Sequence, residues 1–389
     1  MRKIFYNKQF IDRNDLNSVK NSLKNKLITG GPNTFKFENL IKKKVNSKFA
    51  LSCNSGTSAI HLALLSINLK KGDIVILPSI NFIASFSMAI NSGAKVYLAD
   101  VCAKTGQMTP ETLTECIKIN NIKKIKLIVT MFLGGSPNNA VAFFRLKKKY
   151  RCYLIEDACH AFGASYLYKN KRIKVGSCKH ADVSTFSFHP VKSITTGEGG
   201  ALTTNNKQIF EKAKILRSHG IIRDRVEYYE YNINQLSFNY RLSDLNCALG
   251  ISQIQKLDKI IKKRNKLFKI YCEKLKNLDQ FISIPNKLKK FQSHHLMLIC
   301  FKKLSIKKKI NLIKYLNKNK IFPQFHYIPL YQFRAVKSSV SGIYKRVGSN
   351  EYYSKFLSLP LFYDLNISTI DKVAKLLKNY FKEHMNLKA

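Results

Sequence analysis

Short apolar runs alternate with amphipathic stretches through the first 200 residues. Segments 49–52, 73–78, 95–99, 127–131, 153–155, 183–188 and 200–204 are rich in aliphatic side chains and bounded by turn residues, which predicts strands. Between them, 58–67, 82–92, 109–120 and 140–149 carry the spacing of helices. Upstream, Leu16, Val19, Leu23 and Leu27 predict a helix over 15–27 with Asp15 as its N-cap. Gly30-Gly31-Pro32 breaks that helix, and Asn33 or Thr34 is placed to cap the next, through Phe35, Phe37, Leu40 and Ile41. Apolar strands separated by helices predict an α/β fold with a mostly parallel sheet covered on both faces. Ligands in such sheets bind beyond the carboxyl ends of the strands. After Asp244 the pattern changes to a long lysine-rich helix over 245–274, then short strands near 295–301 and helices at 306–319 and 370–383. This predicts a large domain over 1–255, including an N-terminal arm, and a smaller C-terminal α/β domain over 256–389.

Composition narrows the class. The chain has 389 residues, 45% of them hydrophobic, enough for a large core. Nine cysteines without a C-x-x-C pair argue against a zinc site or a disulfide framework and for free thiols in a reducing cytoplasm. No metal is expected. The basic N-terminus lacks an apolar segment behind it, so neither a signal peptide nor a membrane span is expected. A formal net charge of +45 fits either a polyanion partner, such as nucleic acid, or a compositional bias. Lysine runs occur along the whole chain and are not interleaved with aromatics, which favours solvated faces over a nucleic-acid groove.

Four segments carry candidate chemistry. In the first, an apolar strand runs through Ser187 to Pro190 and Lys192, followed by Thr-Thr-Gly-Glu-Gly-Gly and another apolar strand. A lysine between two buried strands has a partly desolvated amine suited to Schiff-base chemistry. In the second, the strand through Leu154 ends in Glu156 and Asp157, with His160 close behind. A pyridoxal ring needs a carboxylate at its nitrogen, and Asp157 is the candidate. His160 is placed for the ring's phenolic oxygen. In the third, Ser55-Gly56-Thr57-Ser58 joins a strand to a helix start, where free N–H groups and the helix dipole favour an anion; Gly56, Thr57 and Ser58 are the candidates. In the fourth, Phe82 follows a strand end and is placed to stack on a flat ring. Each segment alone also fits an ordinary loop, cap or core residue.

Taken in this order, the segments resemble the sugar aminotransferases of the DegT/StrS type. The resemblance extends through Leu216-Arg-Ser-His-Gly220, Phe238-Asn239-Tyr240-Arg241-Leu-Ser-Asp244, His326-Tyr327-Ile-Pro329 and Ser358-Leu-Pro360, and so covers essentially the whole chain. It implies the fold-type I aminotransferase architecture with pyridoxal 5'-phosphate as cofactor. It implies that Lys192 carries the cofactor, that Asp157 faces the ring nitrogen and His160 the phenolic oxygen, and that Thr57 and Ser187 bind phosphate. Asn239 would reach that phosphate from the neighbouring subunit of a homodimer, while Arg241, His326 and Tyr327 would face the sugar. Lysine at position 192 favours transamination, with L-glutamate as donor, over dehydration. The Phe188-to-Lys192 segment and the glycine turn look most similar to the pseudaminic-acid branch of the family. That branch aminates C4 of a UDP-linked 4-keto-6-deoxy-N-acetylhexosamine of L-altro type. Perosamine- or bacillosamine-type nucleotide sugars are the alternatives. Phe132 and Tyr331 depart from the family pattern, standing where histidine is frequent, and bear on which sugar is recognised.

Overall fold

A computed structural model describes residues 3–223, 230–285 and 291–385. Its centre is a seven-stranded sheet. The strands are β1 (Phe49–Cys53), β2 (Ile74–Pro78), β3 (Lys95–Ala99), β4 (Leu127–Met131), β5 (Tyr153–Asp157), β6 (Val183–Ser187) and β7 (Gly200–Thr204). Across the sheet they run β1-β7-β6-β5-β4-β2-β3. Only β7 is antiparallel to its neighbours. The other six therefore end on one edge, where Cys53, Pro78, Ala99, Met131, Asp157 and Ser187 stand together. Gly200 opens β7 on the same edge, in register with both Cys53 and Ser187.

The side chains alternate as a doubly covered sheet requires. Val75 and Leu77 enter a core with Leu51, Leu62, Val96 and Ile155, whereas Ile76 faces Leu113, Ile128, Phe143 and Leu154 on the other side. A further cluster joins Phe37 and Ile41 to Phe186 and Phe188 at the β1 end. Leu267, Tyr271, Met297, Phe301, Leu312, Leu377 and Phe381 build another core around a small antiparallel sheet. Its strands are β8 (Ile282–Ser283), β9 (Met297–Phe301) and β10 (Phe356–Leu359). Among the described residues no helix is long and apolar enough to cross a membrane.

Three details differ from the sequence expectation, each for a local polar reason. The first helix, α1, is Arg13–Ser22 and its N-cap is Asp12; Asp15 sits at N3 and closes the capping box. The second, α2, is Pro32–Val45 with Gly31 at the cap and no side-chain cap of its own. Its cap comes from far along the chain: the buried carboxylate of Asp244 accepts hydrogen bonds from the amides of Gly31 (3.0 Å), Asn33 (3.0 Å) and Thr34 (3.1 Å) and from the Thr34 hydroxyl (2.6 Å). The long helix over 245–274 is two helices, Asp244–Gln255 and Leu257–Lys274. They part at Lys256, whose ammonium is drawn to Asp12 (2.8 Å) and Asp15 (2.6 Å) of α1.

Candidate active site

A cavity of about 640 Å³ opens at the carboxyl edge of the sheet. One wall comes from the loops that leave the strands. Ser55 caps helix Gly56–Ser66 by accepting from the Ser58 amide at 3.0 Å. Gly56 and Thr57 sit in the helix's first turn, where amides lack intrahelical acceptors. Gly56 packs directly on Ser187: a Cβ added there would lie 2.8 Å from the Ser187 Cβ. Only glycine lets the helix end approach β6 this closely.

Lys192 stands in a closed loop between β6 and β7. The Phe188 amide donates to Gly199 at 2.8 Å, the Thr196 amide to Phe188 at 3.0 Å, and the Lys192 amide to His189 at 2.9 Å. The lysine side chain, half-buried, lines the cavity together with Asp157, which ends β5 and is 3% exposed. Burial lowers the affinity of the Lys192 amine for its proton, with Cys159 and Asp157 pulling partly the other way. Burial raises Asp157, opposed by hydrogen bonds from Cys159 and by the Lys192 charge. A carboxylate and an amine thus share one sparsely hydrated site, the setting of a reactive lysine.

The opposite wall comes from the N-terminal arm and the C-terminal third. Tyr6, His160, His295, His326 and Tyr327 bring five rings to the inner end of the cavity. His160 accepts from the Gly134 amide through Nδ1 (3.3 Å), so its proton sits on Nε2 and donates to the Tyr327 hydroxyl at 3.0 Å. Burial drives His160 well below the usual histidine range. His326 is brought down to about 3 for the same reason, and its Nδ1 pairs with the Ser358 hydroxyl at 2.8 Å. Phe82, 52% exposed, faces Tyr327 with ring centres 6.0 Å apart.

The cavity therefore gathers Gly56, Thr57, Phe82, Asp157, His160, Ser187, Lys192, His326 and Tyr327. Three candidates stand apart. The Ser58 amide is taken by Ser55, and its hydroxyl donates to Asn54 Oδ1 at 2.5 Å, so it braces the turn instead of facing a ligand. Asn239 is exposed and Arg241 half-buried, and both lie outside this wall. Phe132 and Tyr331 also lie outside it. Phe132 is packed in the core, and Tyr331 bonds Ser349 (2.9 Å) and Asn350 (2.7 Å). Neither departure from the family pattern touches the cavity. Tyr6, Asn81, Cys159, His295 and Gln324 line it without a distinguishing sequence signal, apart from the His294-His295 pair before an apolar strand.

These residues fit pyridoxal phosphate on structural grounds. The Gly56–Ser187 contact shapes an anion cradle at a helix start, and a buried carboxylate and an amine share the space beside it. The buried Asn81 Nδ2 has no partner among the described residues, and Asn81 lines the same cavity. Comparison with known proteins points the same way. Residues 9–378 match the DegT/DnrJ/EryC1/StrS aminotransferase family. A Campylobacter jejuni protein named UDP-4-amino-4,6-dideoxy-N-acetyl-β-L-altrosamine transaminase is 36% identical, covering 97% of this chain and 96% of its own length. The solved structure of Helicobacter pylori PseC, an aminotransferase involved in pseudoaminic acid biosynthesis, is 28% identical with a TM-score of 0.88, covering 98% of this chain and 100% of that one. The pyridoxal-phosphate form of a sugar aminotransferase from Streptococcus pneumoniae shares the fold at 24% identity, with a TM-score of 0.88 over 98% of this chain and 99% of that one. Fold and cavity together define a fold-type I aminotransferase that works with pyridoxal phosphate. The chain belongs to the DegT/DnrJ/EryC1/StrS aminotransferase family.

Proposed function

We propose that this enzyme transfers the amino group of L-glutamate to C4 of a UDP-linked 4-keto-6-deoxy-N-acetylhexosamine of the L-altro type, a step toward a pseudaminic-acid surface glycan. The observation that carries the reading is Lys192 and Asp157 lining one cavity, in a chain with full-length similarity to a transaminase of that specificity. When bound, pyridoxal phosphate supplies an aldehyde that joins amines and a ring that takes up an electron pair. Gly56, Thr57 and Ser187 hold the phosphate end. Asp157 keeps the ring nitrogen protonated, and Phe82 lies against the ring face. His160, through Tyr327, orders the side of the ring that carries the phenolic oxygen. Lys192 would hold the cofactor through its amine, and that amine is placed to take and return the proton of the reacting substrate carbon. His326 and Tyr327 face the sugar.

The working form in this reading is a cytoplasmic homodimer whose second copy contributes Asn239 to the phosphate and Arg241 to the sugar. Exposed Leu16, Leu23, Leu27 and Phe35 near α1 and α2, with Leu236 and Phe238 beside Asn239, supply the apolar surface such a contact needs. The reading also places the division between the two domains at Lys256.

The test is a two-part assay on purified protein. Glutamate alone should shift the visible absorption of the cofactor. UDP-, GDP- and dTDP-linked 4-keto sugars are then offered with glutamate, and turnover confined to a GDP or dTDP sugar would overturn the substrate assignment.

A further inference from the structure

His295 is held as a functional side chain would be, yet no role follows for it from the cofactor. Its backbone is fixed from both sides: its amide donates to Gly134 at 3.1 Å, and Arg264 donates to its carbonyl at 2.6 Å. The ring packs 4.2 Å from the His160 ring and lines the cavity. It is 1% exposed, and among the described residues both ring nitrogens lack a partner. Buried polar atoms left unpaired are costly, so such a group calls for a ligand.

We propose that His295 is a specificity residue for the sugar, its N–H donating to one neutral substituent of the pyranose and its lone pair accepting from another. This rests on the nucleotide-sugar reading above. The ionisable groups that bear on the ring are His160, Lys192, Arg264 and His326, and no carboxylate is among them. Burial, reinforced by these neighbours, keeps the imidazole uncharged. A neutral imidazole offers one N–H and one lone pair. Carboxylates and phosphates only accept, so they leave the lone pair unsatisfied. That excludes the glutamate carboxylates and the cofactor phosphate, for which Gly56 and Thr57 provide the anion cradle. The two nitrogens point apart, so no single group reaches both; neighbouring neutral substituents of the sugar, hydroxyl or acetamido, can accept from one and donate to the other. The ring also lines the cavity together with Tyr6, His326 and Tyr327.

The test uses the cofactor-loaded enzyme with His295→Leu and His295→Gln. His295→Leu should raise KM for the keto-sugar by about tenfold or more while kcat stays within about threefold. The glutamate-driven absorption change should be unaltered in both variants. His295→Gln keeps a donor and an acceptor and should recover most of the lost KM. An unchanged sugar KM in His295→Leu overturns the proposal. So does a parallel loss of the glutamate half-reaction, which would place the residue on the cofactor, or a glutamine variant as poor as leucine, which would make its role packing. Should His295→Leu not accumulate folded, a His295→Gln enzyme with wild-type KM supports the proposal and one with a tenfold higher KM overturns it. Wild-type enzyme inert toward UDP-keto-sugars yet responsive to glutamate would instead defeat the substrate reading.

Discussion

The two walls of the cavity are built differently. The sheet-side wall takes its residues from loops that begin where a strand stops: Ser55–Thr57 after β1, Asp157 at the end of β5, and Ser187–Lys192 between β6 and β7. Each lies within a few residues of an element that fixes it, so local sequence carries both residue and placement. The facing wall draws Tyr6 from the arm, His160 from the sheet, His295 from before β9, and His326 and Tyr327 from the C-terminal third. Its groups are fixed by one another through Gly134, Tyr327, Ser358 and Arg264. In the proposed reading, cofactor chemistry draws mainly on the first set and sugar recognition on the second.

Four substitutions probe that contrast, in falling order of expected effect. Lys192→Ala should cut transamination by at least about a thousandfold while leaving the unfolding midpoint near wild type. Steady-state turnover above about a tenth of wild type would dissolve the distinction between the walls. Asp157→Asn should lower kcat by about a hundredfold. Comparable loss of sugar KM and of kcat would show that this carboxylate also serves recognition. Tyr327→Phe removes the acceptor of the His160 N–H. It should raise the sugar KM about fivefold and, because Tyr327 orients His160 beside the ring, slow the glutamate half-reaction by a smaller factor; kinetics with each substrate varied separately decide. Glu156, beside Asp157 but on the other face of β5, is a control with the smallest effect. Burial lifts it from 4.5 to about 7, and Ser184 donates to it at 2.7 Å. A raised folded value means the contribution to stability is full below 4.5 and is lost as pH rises through about 7. Glu156→Gln removes that loss, so its unfolding midpoint relative to wild type should be higher at pH 8 than at pH 5. A gap equal at both pH values would show that Glu156 does not titrate in this range.

The same contrast governs what the sequence revealed. Strands at 95–99, 127–131 and 200–204 were legible to the residue, because apolar runs there meet turn residues at both ends. Helix starts were less so. Asp15 reads as the cap from the sequence, whereas Asp12 takes that place and Asp15 closes the capping box while engaging Lys256 and Gln253. The break at Lys256 carries no glycine or proline, since distant acidic residues cause it. Lys192, Asp157 and Gly56 could be read from their own neighbourhoods. His295 could not, because its isolation is a property of five rings brought together from separate segments. Phe132 and Tyr331 are both packed away from the cavity, which the sequence alone did not reveal.

Asp244 ties the start of α2 to a residue more than 200 positions later, through four donors at once. Replacing it with alanine should remove about 3 kcal/mol, measured by denaturant unfolding. The tie also has a temporal meaning. A ribosome must release the chain well beyond residue 244 before α2 receives its cap, so α2 leaves the exit tunnel with one end unsatisfied. A nascent chain halted short of that point should be markedly more open to proteases around Gly31 than one halted beyond it.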